Sequence, residues 1–170
     1  MSSVQTTEMS PGANTLGRSG QYLTFILAGE EYGVDILRVQ EIKGWDRVTP
    51  IPHTPGYIRG VINLRGTIVP IVDLRLRFEI GEAAYDKTTV VVVLKVLAVG
   101  RERTMGFVVD AVSDVYDVTA EAMKPTPDFG ASIETRFVRG LAAIDQKMVI
   151  LLDVDALIGH DIDVVPETLQ

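Results

Sequence analysis

Apolar and polar positions alternate along Gln21-Tyr-Leu-Thr-Phe-Ile-Leu27, with Tyr22, Thr24 and Ile26 on one side and Leu23, Phe25 and Leu27 on the other. Both sides are largely apolar, which predicts a strand between two packed layers. Gly29-Glu30-Glu31 turns the chain into Tyr32-Gly-Val-Asp-Ile36, giving a hairpin. Leu37 to Ile42 satisfies a short helical turn as well as a strand. Its β-branched residues favour the strand, on which Val39 and Glu41 share a face. Pro50, Pro52 and Pro55 then fix φ and remove amide donors, so the segment from Trp45 to Gly56 reads as a stiff connection.

Gly60-Val-Ile-Asn-Leu-Arg-Gly-Thr-Ile-Val-Pro-Ile-Val-Asp73 reads as two apolar strands around Arg65-Gly66. Gly66 takes the positive φ of a tight turn and leaves Arg65 at the tip. Pro70 cannot donate to a ladder, which predicts an edge strand or a bulge there. An edge is a place where another protein docks, whereas a bulge merely helps a small barrel curve. Leu74 to Phe78 suits one helical turn. Thr89 to Val99 suits a strand buried on both faces, turned by Gly100 to Arg103. Met105 to Val112 pairs back and Val115 to Val118 continues as strand. After the proline-rich stretch Lys124 to Gly130, Phe137 to Ile144 and Lys147 to Asp153 form a further hairpin, with a helical turn over Val154 to Ile158.

The central hairpin recurs. Arg59-Gly60 falls on Arg139-Gly140, Arg65-Gly66 on Asp145-Gln146, and Asp73 on Asp153. In a second block, Gly33 to Ile42 falls on Gly106 to Val115. Two blocks in the same order predict one β unit used twice, although short valine-rich strands also match by chance. Many short strands with turns between them favour closed barrels, because closure removes edges. The expectation is an all-β fold of two five-stranded β-barrel subdomains with short helical turns. It occupies residues 21–160 with a connection near 79–88, between a loose tail over 1–20 and a C-terminal tail over 161–170.

Composition narrows the function. The 170 residues contain no cysteine and two histidines, which excludes disulfides, thiolate metal sites and a cysteine nucleophile. Val90 to Val99 is half the length of a membrane helix and is broken by Lys95, and the N-terminus carries no export signal, so the reading is cytoplasmic with no membrane insertion. A net charge of −7 argues against nucleic-acid phosphates as partner. No phosphate-binding glycine loop, dinucleotide fingerprint or His-Glu-x-x-His occurs, and His53 reads as a solvated loop residue. Asp35, Asp73, Asp110 and Asp153 occupy repeat-equivalent places at strand ends. Their duplication reads as turns that accept backbone amides. The competing reading is a small β-barrel enzyme or ligand-binding regulator that uses these carboxylates. What differs between the copies is basic: Arg65 is replaced by Asp145 and Arg38 by Ala111, while Glu41 keeps its sign as Asp114.

Tyr32-Gly-Val-Asp-Ile-Leu-Arg-Val-Gln-Glu-Ile42, the stretch from Gly60 to Arg75, and Gly106-Phe-Val-Val-Asp-Ala-Val-Ser-Asp-Val115 closely resemble the CheW-like family of bacterial chemotaxis coupling proteins. The resemblance spans about residues 21–160. It implies two five-stranded SH3-like barrels and a non-enzymatic adaptor without cofactor or metal. Such an adaptor links the cytoplasmic tips of methyl-accepting chemoreceptors to the regulatory domain of the histidine kinase CheA and is recruited to membrane receptor arrays. Position by position, it implies receptor contacts at Val39, Glu41 and Arg65, with Arg59 and Gly60 nearby, and leaves the kinase contacts unassigned.

Overall fold

The computed structural model describes residues 20–81, 84–98, 100–125 and 135–158. Residues 1–19 of the expected N-terminal tail, the C-terminal tail, His160, part of the 79–88 connection and most of the stretch from Lys124 to Gly130 lie outside the described residues, whereas Gly20 opens the first strand rather than closing the tail. The first strand, β1 (Gly20–Leu27), pairs antiparallel with β2 (Glu30–Asp35), as the alternation predicts. A 3-10 turn over Ile36–Arg38 separates β2 from β3 (Val39–Gly44), so both readings of that ambiguous stretch are realised in succession. Then follow β4 (Ile58–Leu64), β5 (Thr67–Asp73), the helical turn α1 (Leu74–Phe78), β6 (Val90–Ala98), β7 (Arg101–Val109) and β8 (Ala111–Val118). A short β9 (Met123–Lys124) and the hairpin of β10 (Val138–Ile144) and β11 (Lys147–Leu152) complete the strands, before a 3-10 turn over Val154–Leu157.

The strands form two sheets, ordered β8-β1-β2-β11-β10-β9 and β3-β6-β7-β5-β4. Sequence neighbours do not simply fill one sheet and then the other. Each sheet takes hairpins from both halves of the chain, and two parallel ladders seal the exchange. Ile71 pairs with Gly106 between β5 and β7, and Ile150 pairs with Tyr32 between β11 and β2. The repeated glycines have a steric reason to be glycine at these seams. A Cβ on Gly106 would lie 2.7 Å from both Ile71 and Val91, and one on Gly33 would lie 3.1 Å from Leu151.

Three apolar layers result. Leu23, Phe25, Tyr32, Val34, Val92, Leu94, Met105 and Phe107 fill the space between the sheets. Tyr22, Ala142, Val149 and Leu151 fill the far side of the first sheet, and Val69, Ile71, Val91, Val93 and Val108 that of the second. This explains why β1 and β6 are apolar on both faces.

The repeat is architectural. In β4–β5 the register slips between Ile58 and Gly60, and in β10–β11 between Val138 and Gly140. Each hairpin closes in a two-residue turn, Arg65-Gly66 or Asp145-Gln146, and ends on an aspartate that accepts the backbone N–H two residues on. Asp35 caps its 3-10 turn in the same way, and Asp110 accepts Ala28 N–H at 2.8 Å.

Three expectations need correction. Pro70 is not on an edge strand, because β5 lies between β7 and β4; nor is the bulge at Pro70, since it falls on β4 near Arg59. The ladder to β7 begins only at Ile71, so Pro70 occupies the part of β5 flanked by β4 alone, where a missing donor is tolerated. Arg65 as well as Gly66 has positive φ, at 52° and 88°, which makes a type I′ turn rather than one with a single glycine in that region. Val39 and Glu41 do not share a face, because β3 is bulged between them. Val39 pairs with Leu94 and Glu41 with the adjacent Val93, and neighbouring residues of one strand point to opposite sides.

Candidate protein-interaction site

The β4–β5 turn of the second sheet reaches across to its edge strand β3. Glu41, on edge strand β3, points to the side of Val93 and receives the Arg65 guanidinium from the β4–β5 turn, with Nη2 2.7 Å from Oε1. The turn that presents Arg65 is fixed from within, since Gly66 N–H donates to Asn63 Oδ1 at 2.7 Å. Arg65 is 74% exposed and Glu41 26%, so this pair contributes at most about 1 kcal/mol to the fold. It is correspondingly easy to exchange for a partner's charges.

The remaining predicted residues divide around this pair. Val39 is half-buried against the layer between the sheets, and Ile42, whose pairing with Val92 puts it on that same face, is 43% exposed. Gly60 is buried with φ 144°, and a Cβ there would sit 2.3 Å from Thr49 O, so its role is to let the proline-rich connection pass close to β4. Arg59 is exposed, its guanidinium 6.0 Å from the Tyr85 ring. The structure therefore joins Glu41 to Arg65, sets Arg59 and Gly60 on β4, and turns Val39 to the opposite face.

Two ion-pair clusters escaped the sequence reading, and the repeat relates them. Asp73-Leu74-Arg75 and Asp153-Val154-Asp155 are equivalent, yet the last residue is a cation in one and an anion in the other. Arg75 is buried. Its Nε and Nη2 grip Asp73 at 3.0 and 2.9 Å, while Nη1 donates to Asp110 at 2.8 Å and to Ala84 O at 2.6 Å. Burial alone would lower the Arg75 pKa, but hydrogen bonds and charge from Asp73 and Asp110 outweigh it and raise the pKa. Tyr85 donates to Asp73 at 2.6 Å and stacks on Trp45 at 4.2 Å. Burial, reinforced by that bond, pushes its phenol up to about 12.

At the equivalent place Asp155 receives Arg38 through two bonds of 2.8 Å, and its Oδ1 also accepts Leu97 N–H at 2.7 Å. The Arg38 hydrogen bonds hold this carboxyl below the usual range despite its partial burial. Each cluster pins a hairpin end to a turn contributed by the other half of the chain. A cation placed two residues after a capping aspartate was the available signal for Arg75; nothing local marks Arg38 and Asp155 as partners. His53 is exposed, in keeping with a solvated loop residue.

The family model of the CheW-like domain matches residues 21–161. The chain is 48% identical over 141 residues to the chemotaxis protein CheW of Klebsiella aerogenes, covering 83% of this chain and 82% of that one. It is 40% identical to the probable chemotaxis protein CheW of Rhizobium etli, covering 82% and 88%. Among solved structures, the scaffolding protein TtCheW of Thermoanaerobacter tengcongensis superposes with a TM-score of 0.74 at 37% identity, covering 82% of this chain and 92% of that one. The chain belongs to the CheW-like domain family. These relatives support a scaffolding role in chemotaxis. No helix among the described residues is long and apolar enough to cross a membrane.

Proposed function

We propose that this chain is a non-enzymatic chemotaxis adaptor that couples the cytoplasmic tips of chemoreceptors to the regulatory domain of the histidine kinase CheA and is recruited to receptor arrays. The observation that carries the receptor half of this reading is the exposed Arg65–Glu41 pair, which joins a type I′ turn to edge strand β3. A guanidinium with most of its surface in water and one carboxylate partner retains N–H donors for a second partner. On the opposite face of the same edge strand, half-buried Val39 and exposed Ile42 would accept apolar side chains from a helical receptor tip that spans the edge, while the charges set register. Differential binding of the two partners would bias the kinase without any reaction on this subunit.

The competing reading, an enzyme built on the strand-end carboxylates, gains no support. Asp35 and Asp153 each cap a separate turn, while Asp73 and Asp110 are both paired to Arg75 and also accept backbone amides. Co-sedimentation with a receptor signalling fragment tests the adaptor reading. Arg65→Glu is expected to weaken capture at least about tenfold while leaving the unfolding midpoint nearly unchanged. Unaltered capture by the folded variant would remove Arg65 from the interface.

A further inference from the structure

The two clusters made equivalent by the repeat differ in what covers them. Nine residues after Arg75 the chain returns over its own ion pairs, where the Ala84 carbonyl accepts from the guanidinium at 2.6 Å and Arg75 is left 4% exposed. Over Arg38 and Asp155 no such segment lies among the described residues, and the side chains remain 35% and 32% exposed. A depression of about 190 Å³, lined by Arg38, Lys95, Val96, Leu97 and Glu102, opens there. Leu97 in that lining is 51% exposed, and Leu37, the residue before Arg38, is 82% exposed. Asp155 ties these features together by holding both Arg38 and the Leu97 amide, and the described chain runs on from it only to Ile158. Residues 159–170 follow in the sequence. The offset that carries Asp73 onto Asp153 carries Ala84-Tyr85 onto Val164-Val165, so Val164 again comes nine residues after its cluster's member, Asp155.

We propose that the chain covers this clamp with its own C-terminal segment, Asp161 to Val165 lying across Arg38 and Asp155 as the segment around Ala84 lies across Arg75. The inference concerns the chain's internal contacts and stands apart from the adaptor reading. The chemistry of the segment matches the surface. Asp161-Ile-Asp-Val-Val165 alternates carboxylates with apolar side chains, and residues 159–170 hold three acidic residues and no lysine or arginine. The surface offers two exposed leucines beside cations. Lys95 and Arg101 lie on the paired strands of the β6–β7 tip, and the charge of Arg139 reaches Asp155. Glu102, the acidic residue of the lining, already faces Lys95 at 3.5 Å. In an extended segment Asp161 and Asp163 fall on one side and Ile162 and Val164 on the other, so the carboxylates meet the cations while an apolar side chain enters the depression beside Leu97. Pro166 biases Val165 towards that extended backbone. Because the tether is short, the effective concentration is about millimolar, and contacts too weak to hold a free peptide suffice. Any other molecule that takes this face must first displace the segment.

NMR relaxation of the full chain, uniformly labelled with nitrogen-15, tests the proposal. The Ile162 to Val165 amides are expected to have order parameters of about 0.85, like the strands, and to keep them on tenfold dilution. Leu97→Asp, at an exposed position, is expected to drop them below about 0.6 while β1 and β6 keep theirs. Raised salt should move them in the same direction. The reciprocal variant, Ile162→Asp with Val164→Asp, leaves the described core untouched and is expected to shift the Leu37 and Leu97 amide resonances. Order parameters below about 0.6 in the wild type would overturn the proposal. So would a rigid segment whose double variant leaves Leu37 and Leu97 unshifted, since the segment then lies elsewhere. Release on dilution would assign the cover to a second copy and overturn the internal contact.

Discussion

Gly60 shows how one missing methyl group can fix the relation between a loop and a strand. Its φ of 144° and the 2.3 Å separation from Thr49 O to a would-be Cβ leave no room for a side chain, and the contacting atom is backbone that cannot swing aside. Gly60→Ala is expected to cost more than about 1 kcal/mol, read as a lowered urea midpoint with an unchanged slope. Tyr32 and Tyr85 report a second single-group effect. Burial, with Glu30's charge for Tyr32 and the Asp73 bond for Tyr85, raises both phenols from 10.0 to about 12. The fold therefore favours the neutral phenol. That contribution is complete below about pH 10 and is lost as pH rises through about 12. Phenolate absorbance is expected to show a last step near pH 12 that coincides with unfolding, and Tyr85→Phe should shrink it; a titration finished by about pH 11, as for five ordinary phenols, would contradict the assignment.

Turns and hairpins were the most legible parts of the sequence, because their signals are local. Gly29, Arg65-Gly66 and Gly100 each sit in a hairpin turn, although Glu30 and Glu31 already belong to β2, and the aspartates at the ends of β2, β5 and β11 cap helical turns, as their duplication implied. Side-chain direction was less legible. A regular strand places Val39 and Glu41 together, and only the extra residue in β3 separates them; no pattern of apolar and polar residues in Leu37 to Ile42 announces it. Pro70 was read by the right rule applied to the wrong strand neighbour, since which part of β5 meets β7 depends on a segment more than thirty residues away. The Arg65-Gly66 turn also carries a prediction. Asparagine tolerates φ near 52° better than arginine, so Arg65→Asn is expected to raise stability by at most about 1 kcal/mol while weakening receptor capture. Thermal melts and co-sedimentation on the same preparation check both halves. Such an opposed response would mean that the arginine is present for contact rather than for the turn.

The exchange of strands between the two copies is what the sequence concealed most completely, because a repeat looks the same whether each copy closes on itself or on its twin. Here β1 meets β8, β2 meets β11, β3 meets β6, and β5 meets β7, so these four sheet contacts between hairpins join the two halves of the chain. Asp155 with Arg38 and Arg75 with Asp110 fasten the same crossings by charge. If residues 20–79 stood alone, β1–β2 would lose β8 and β11, β3 would lose β6, and β4–β5 would lose β7. What remains is isolated hairpins, which are marginal in water. Expressed separately, residues 20–79 and 88–158 are therefore expected to give unfolded or aggregating fragments. Mixed from denaturant, they are expected to recover a strand-rich circular dichroism spectrum and Trp45 fluorescence together, in one concentration-dependent transition. A cooperative thermal transition in either fragment by itself would show that one copy can close without the other and would contradict the exchange.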